Sequence, residues 1–308
     1  MLSVIIPAFN EEKMINLTAD TVSGILAGEN IPYELLFVDD GSSDGTWDRI
    51  LSAAEKNNCV RGLHFSRNFG KESAMFAGLE RASGDCCVMI DCDLQHPPEK
   101  IPEMYRLWEQ GYEVVEGIKE DRGEETGLHK FAAGSFYALI SKAVGMDMSS
   151  SSDFKLLDRK VVDTLNKMPE RNVFFRALSF WVGFRKTEVC YRVQERTAGE
   201  SKWSTRSLIR NAVTNITSLS SMPLHSITWL GMLMLVIAVI FSVIALVQKL
   251  SGAAAEGFTT VIILLLFTGS LIMLSLGVIA YYIGKMYEEL KGRPRYIISK
   301  ECGGKQQS

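Results

Sequence analysis

Between Ile227 and Val247, and again between Gly257 and Gly284, the chain carries no charged residue. Each run reaches the roughly 20 apolar residues that a helix needs to cross a bilayer. Uncharged stretches of that length are rare among the buried helices of water-soluble folds, so the pair reads as a transmembrane hairpin rather than as core. Only residues 248–256 separate the runs, whereas Lys285, Lys291, Arg293, Arg295 and Lys300 follow the second one. That surplus of positive charge assigns the C-terminal tail to the cytosol. Two crossings then put the N-terminal part on the same side. The opening MLSVIIPAFNEE lacks a basic stretch, and its apolar run stops at Pro7, which fits neither a signal peptide nor a span.

Ahead of Pro223 the sequence is of ordinary soluble type, with room for one full-sized core in a chain of 308 residues and 47% hydrophobic content. The formal net charge of -3 comes without a basic stripe, which excludes nucleic acid as a partner. Six scattered cysteines show no CxxC pairing, so they read as reduced cytosolic thiols rather than a zinc site or disulfide scaffold.

Apolar runs at 2–6, 33–38, 60–65 and 86–90 alternate with helical patterns at 11–27, 46–56, 71–82 and 97–111. A strand at 113–118 follows, then a polar stretch at 119–125 with a loop's composition. Helices at 128–144 and 159–166, strands at 180–184 and 187–193, and a polar loop at 194–204 complete the predicted order. Such alternation predicts a mostly parallel sheet covered on both faces. Ligands of such sheets bind beyond the carboxyl ends of the strands, where Asn10-Glu11, Asp39-Asp40, Asn68 and Asp91-Cys92-Asp93 all fall. From 205 to 221, Leu208, Ile209, Ala212, Val213, Ile216 and Leu219 recur at helical spacing, with Arg206, Arg210, Asn211 and Asn215 opposite. This amphipathic helix either lies on the membrane interface or packs on the domain, and its place just before a span favours the interface. The expected division is a catalytic domain over 1–204, a juxtamembrane helix over 205–222, the hairpin over 223–284 and a cytosolic tail over 285–308.

Asp91 and Asp93, one residue apart after a hydrophobic strand, suit a hard cation such as Mg²⁺ or Mn²⁺ that also holds phosphate oxygens. Gln95 offers one more oxygen, and Cys92 should point away, because neighbouring side chains on extended backbone alternate. A DxD pair alone equally describes a solvated turn, and His96 suits either a ligand or a turn-and-cap role. Asp39 and Asp40 at the second strand end can accept hydrogen bonds from ribose hydroxyls or a base N–H, while Asp44 is placed to cap the helix starting near Thr46.

IIPAFNEE, FVDDGSSDGT, NFGKESAMFAGLERASGD and MIDCDLQHPPE, in this order and spacing, closely resemble glycosyltransferase family 2. The DLQHPPE ending and the two C-terminal spans look like its polyprenyl-phosphate branch. The resemblance implies an α/β, GT-A type, Rossmann-like domain followed by the interfacial helix and two transmembrane helices. It also implies inverting transfer of a hexose from a nucleotide-sugar to undecaprenyl or another polyprenyl phosphate at the cytoplasmic membrane face. UDP-glucose is the favoured donor, with GDP-mannose or another UDP-sugar as alternatives.

By motif position the resemblance implies that Pro7, Asn10, Glu11 and Asp39 line the nucleotide pocket. Asp91, Asp93 and Gln95 would serve the metal and diphosphate, with Asp91 also facing the nucleotide. The segment Ser152-Asp153-Phe154-Lys155-Leu156-Leu157-Asp158-Arg159 is similar to the family's acceptor-side segment, with lysine at 155 where arginine is common. Asp153 is the catalytic candidate there, against a helix-capping role. Residues 195–203 resemble the family's loop over the diphosphate; Arg196, Ser201 and Lys202 supply charge and donors for phosphate oxygens, or else bind lipid head groups. Arg122, Lys130 and Lys155 are candidates for the acceptor phosphate. A phosphate acceptor is already anionic near neutral pH, so Asp153 has more reason to orient than to abstract a proton. The implied partners are the two substrates, the bilayer and further copies of the chain, a tetramer among the states allowed. A processive polysaccharide synthase fits less well, since two spans are few for a polymer channel and no QxxRW motif is present. A silent scaffold would have no need of the acidic cluster.

Overall fold

A computed structural model of the chain describes residues 1–119, 152–168, 175–192, 222–251 and 257–303. These fall into two units, one built on a sheet and one on two long helices. In the sheet unit, β1 (Leu2–Ala8), α1 (Ile15–Gly28), β2 (Tyr33–Asp39), α2 (Thr46–Lys56), β3 (Val60–Phe65), α3 (Lys71–Arg81) and β4 (Cys86–Met89) follow the predicted alternation. A short 3₁₀ turn at Pro98–Lys100 leads into α4 (Ile101–Glu109), and then come β5 (Val114–Lys119), β6 (Lys155–Asp158), α5 (Arg159–Asn166), α6 (Phe175–Trp181), β7 (Lys186–Tyr191) and β8 (Ile298–Cys302).

The eight strands form one sheet in the order β7-β5-β6-β4-β1-β2-β3-β8. β1 pairs parallel with β2 and β4, β2 with β3, and β5 with β7. β6 runs antiparallel between β4 and β5, and β8 antiparallel along β3. The continuous apolar runs are explained by burial on both faces. Val4, Ile6, Leu35 and Phe37 pack into one cluster with Ile15, Val22 and Leu26 of α1. Ile5, Leu36 and Val38 point the other way, into a cluster with Met75, Phe76 and Leu79 of α3 and Val161 and Leu165 of α5.

Two expectations change. The strand predicted at 180–184 is instead the end of α6 and a turn through Gly183 (φ 70°). Its apolar residues look β-like, but Trp181 is 63% exposed, while Phe175 and Leu178, one turn apart, are buried as a helix buries them. The C-terminal tail supplies a strand: Ile298–Cys302 covers the edge of β3, and Tyr296 stacks on Phe65 at 5.1 Å. Its three central residues, Ser299, Lys300 and Glu301, are polar and exposed, which is why the segment carries no strong apolar signal.

The second unit consists of α7 (Met222–Leu250) and α8 (Phe258–Leu290), both long and apolar enough to cross a membrane. Their large apolar side chains face outward rather than into a core, as with Leu266 at 68% and Met273 at 69% exposed. The helices predicted at 128–144 and 205–221, and the loop at 194–204, lie outside the described residues.

Candidate active site

The acidic motifs collect where the strand topology puts them, at the carboxyl ends of β1, β2 and β4. Among the described residues, two of the three non-glycine residues with positive φ sit here: Asn10 (56°) after β1 and Leu94 (55°) after Asp93. Left-handed backbone costs such residues about 1 kcal/mol or more, and it persists where the surroundings over-determine it. At Asn10 the surroundings are visible. Its N–H donates to Ser42 Oγ (2.8 Å) and its Oδ1 accepts from the Ser43 N–H (3.0 Å). The Glu11 N–H donates to Thr46 Oγ1 (2.9 Å), so the loops after β1 and β2 are laced together. Gly41 makes the second loop feasible, with φ 68° and the Arg67 backbone too close to admit a Cβ. Asp44 Oδ1 accepts from the Thr46 N–H (3.0 Å) at the start of α2, as expected of it.

Asp39 and Asp40 are buried, 0% and 3% exposed, and each is satisfied from within. Asp39 Oδ1 accepts from the Ser42 N–H (2.9 Å), and Oδ2 lies 2.7 Å from His64 Nδ1. Asp40 accepts from the Phe69 and Gly70 N–H groups (2.6 and 2.9 Å). Burial pushes the Asp40 carboxyl above its ordinary value, outweighing these two hydrogen bonds. Asn10 and Asp39 thus spend polar atoms on holding the loops. Pro7 and Glu11, by contrast, border an open cavity of about 240 Å³ with Phe9, Lys71, Asp91 and Asp93.

At β4 the expected alternation holds: Cys92 is 3% exposed, and its carbonyl accepts from Thr18 Oγ1 (2.8 Å). Asp93 Oδ1 accepts from the Gln95 N–H (3.1 Å), which shapes the turn through Leu94. His96 is 7% exposed and lies parallel to the Phe154 ring at 5.2 Å, with Tyr191 edge-on at 5.8 Å. Its Nδ1 faces the Asp91 N–H at 3.4 Å, and burial lowers the imidazole pKa, which keeps it neutral and props the acidic turn.

Asp91 carries a cation from its own chain. Lys71 Nζ lies 2.5 Å from Asp91 Oδ1 and 3.0 Å from Asp153 Oδ2, across 82 residues of sequence in the second case. Arg176 grips the far side of Asp153 with both arms, Nε to Oδ1 at 2.7 Å and Nη2 to Oδ2 at 3.0 Å. A charge row Asp91, Lys71, Asp153, Arg176 therefore runs along this edge. Burial alone would lower the Lys71 ammonium, but Asp91 and Asp153 overcome that and raise it. Burial likewise works to raise Asp153, and the bonds from Arg176 together with the Lys71 charge drive it well below the usual carboxylate range. Behind them Glu72 accepts from the Phe175 N–H (2.9 Å), and burial beside the Asp153 charge pushes it up to about 7. Asp153 caps no helix; it is held between two cations.

Lys155 differs from what its motif position suggests. It is 1% exposed, with Nζ 3.1 Å from Glu116 Oε1 and 2.8 Å from Ser179 Oγ. An ammonium so enclosed is spent on Glu116, which is 4% exposed and also accepts from the Ser152 N–H (3.0 Å). Lys155, a candidate for the acceptor phosphate by its motif position, is placed here as a buried strut between β5, β6 and α6. Arg122, Lys130, Arg196, Ser201 and Lys202 lie outside the described residues. Lys71, Arg176, His64 and Glu72 were not singled out from sequence. Lys71 and Glu72 stand inside the quoted NFGKESAMFAGLERASGD motif, but Arg176 carries no local signal.

Asp91 and Asp93 offer two hard oxygen donors, and among the described residues no third His, Cys, Asp or Glu joins them to make a larger metal cluster. That set suits an ion of the Mg²⁺ type, whose remaining positions are taken by substrate phosphates and water.

Comparison with known proteins agrees in extent and type. The family described as "Glycosyl transferase family 2" matches residues 3–165. The uncharacterized glycosyltransferase YkcC of Bacillus subtilis (strain 168) is 38% identical over 98% of this chain and 94% of its own length. The uncharacterized glycosyltransferase sll0501 of Synechocystis sp. is 35% identical, covering 98% and 96%. The prophage bactoprenol glucosyl transferase homolog of Escherichia coli (strain K12) is 36% identical, covering 97% and 98%.

Proposed function

The chain belongs to glycosyltransferase family 2, and from that premise we propose that it moves a hexose, glucose from UDP-glucose by preference, onto undecaprenyl or another polyprenyl phosphate at the cytoplasmic membrane face. The observation that carries the reading is the charge row Asp91, Lys71, Asp153, Arg176, whose first two members line a cavity together with Pro7, Glu11 and Asp93. The acceptor class is supported by relatives named bactoprenol glucosyl transferase, which match nearly end to end.

In the proposed reaction an oxygen of the acceptor phosphate attacks the anomeric carbon, the bond from that carbon to the donor diphosphate breaks, and the nucleoside diphosphate leaves with the electron pair. One displacement inverts the configuration. Asp91 and Asp93, with Gln95 beside them, would hold Mg²⁺ or Mn²⁺, which supplies positive charge for the leaving diphosphate. Asp153, kept ionised between Lys71 and Arg176, is a poor proton acceptor and orients those cations. The attacking phosphate is already anionic, so no base is needed. Arg196, Ser201 and Lys202 close over the diphosphate, and Arg122 and Lys130 receive the acceptor phosphate. Pro7, Asn10, Glu11 and Asp39 form the nucleotide side, Asn10 and Asp39 chiefly by holding its loops.

The membrane arrangement follows the chain. Two crossings that return the chain to the side it left are supported by β3 and β8 sharing one sheet although α7 and α8 lie between them in sequence. The basic residues after α8 make that side cytoplasmic. Residues 1–204 then form the catalytic domain, 205–222 the interfacial helix, 223–284 the hairpin, and 285–308 a cytosolic tail whose end completes the sheet. Small residues Gly269, Ser270, Ser275, Gly277 and Ala280 suit packing of copies into a homo-oligomer.

The test is transfer of radiolabelled sugar from a panel of UDP- and GDP-sugars to undecaprenyl phosphate, using purified protein in detergent with and without Mg²⁺ or Mn²⁺. A lipid-linked product formed from UDP-glucose only with metal is expected. No lipid-linked product from any donor, with nucleotide binding intact, overturns the reading.

A further inference from the structure

Lys71 stands at the first residue of α3, where the helix dipole favours acidic side chains and disfavours an ammonium. Its charge does nothing for the helix. It reaches across to two carboxylates on different strands, 2.5 Å from Asp91 and 3.0 Å from Asp153, and still keeps 42% of its side chain exposed in the cavity. Arg176 already satisfies both oxygens of Asp153. Asp91, by contrast, is 30% exposed and pairs with the Lys71 ammonium, while the neutral His96 ring stands farther off, 3.8 Å from its Oδ2. Asp91 is also the carboxylate assigned above to the divalent ion.

These facts point one way, resting on the function proposed above: we infer that Lys71 is an exchangeable cation, which competes with the divalent metal for Asp91 and, once displaced, pairs with the acceptor phosphate beside Asp153. A divalent ion held by the Asp91 carboxylate would stand close to the ammonium paired with that same carboxylate, and like charges at such a distance repel even under solvent screening. The lysine stem is long and flexible, and its ammonium is a point charge without a fixed fork, so it can change partners without moving the backbone. A short swing keeps it on Asp153 and releases Asp91. The arriving phosphate then meets two cations, Lys71 and Arg176, already oriented by one carboxylate. Metal loading and acceptor binding are thereby coupled through a single side chain.

The experiment is a Mn²⁺ titration of the purified full-length protein in detergent, without nucleotide or lipid, followed by the electron paramagnetic resonance of free Mn²⁺. Lys71→Met should bind Mn²⁺ roughly tenfold more tightly than the parent protein, because the competing charge is gone. Lys71→Arg, which keeps the charge, should stay near the parent, and Asp91→Asn should lose most of the binding. In the transfer assay at saturating Mn²⁺, Lys71→Met should raise the KM for undecaprenyl phosphate by about tenfold and leave that for the donor unchanged. Metal affinity of Lys71→Met equal to or weaker than the parent's overturns the competition, as does full binding by Asp91→Asn; an unmoved acceptor KM overturns the hand-over. Lys71→Gln repeats the measurement if the methionine variant does not fold. Because the titration contains neither substrate, it reads the competition even if the transfer assay names a different acceptor.

Discussion

Two sets of carboxylates stand at one end of the same sheet, and they are treated in opposite ways. Asp39, Asp40 and, further along, Glu116 are nearly dry, and their partners are fixed: backbone N–H groups, the His64 ring and the enclosed Lys155. Asp91, 30% exposed, lines the cavity and pairs with the partly exposed side chain of Lys71, which also reaches the more enclosed Asp153 beside Arg176. An aspartate locked to rigid, buried donors contributes to shape. Asp91, paired to a partly exposed flexible lysine, keeps its charge available for exchange, since an exposed pair of that kind is worth only about 0–1 kcal/mol.

The contrast is broken or sharpened by neutralising one carboxylate at a time. The largest effect should come from Glu116→Gln, which strands the buried Lys155 ammonium; a loss of about 3–5 kcal/mol is expected in chemical denaturation, with activity falling only as folding does. Asp91→Asn should do the reverse. Its transfer rate should drop by about 100-fold or more while stability changes by no more than about 1 kcal/mol, read from initial rates and melting of the same preparation. A stability loss as large as that of Glu116→Gln would erase the distinction. Asp40→Asn should cost about 1–3 kcal/mol, because an amide cannot serve both the Phe69 and Gly70 N–H groups as a carboxylate does.

The smallest effect is a slope. Glu72 has its folded-state pKa pushed up to about 7 from an ordinary 4.5, so between those values the folded form holds a proton that the unfolded form has released. Stability contributed by Glu72 is therefore present below about pH 4.5 and falls as pH rises towards 7. Glu72→Gln should flatten that segment of the stability-versus-pH curve relative to the parent, and identical slopes in the two proteins would remove Glu72 from the account.

Much of the sheet was legible in one dimension because its strands are buried on both faces and end at turn residues, as in YELLFVDDG. The metal-side pair Asp91 and Asp93 was legible for the same reason, being local to β4. The misread 180–184 segment shows the limit: an apolar run near a glycine suits a strand or a helix end, and Phe175 packing against Phe76 of α3, 6.2 Å edge to face, favours the helix. β8 escaped notice because an edge strand half exposed to water needs few apolar residues.

Sequence alone determined the fold class, the two long apolar helices and the order of acidic turns along the strand ends, since each is written in local periodicity and chain-neighbour chemistry. Only the tertiary structure decided how those carboxylates divide: that Lys155 closes on Glu116, and that Lys71 and Arg176, 82 and 23 residues from Asp153, converge on it. The reason is physical. A charge takes its partner from whatever the fold brings within about 3 Å, and spacing along the chain carries no record of that distance.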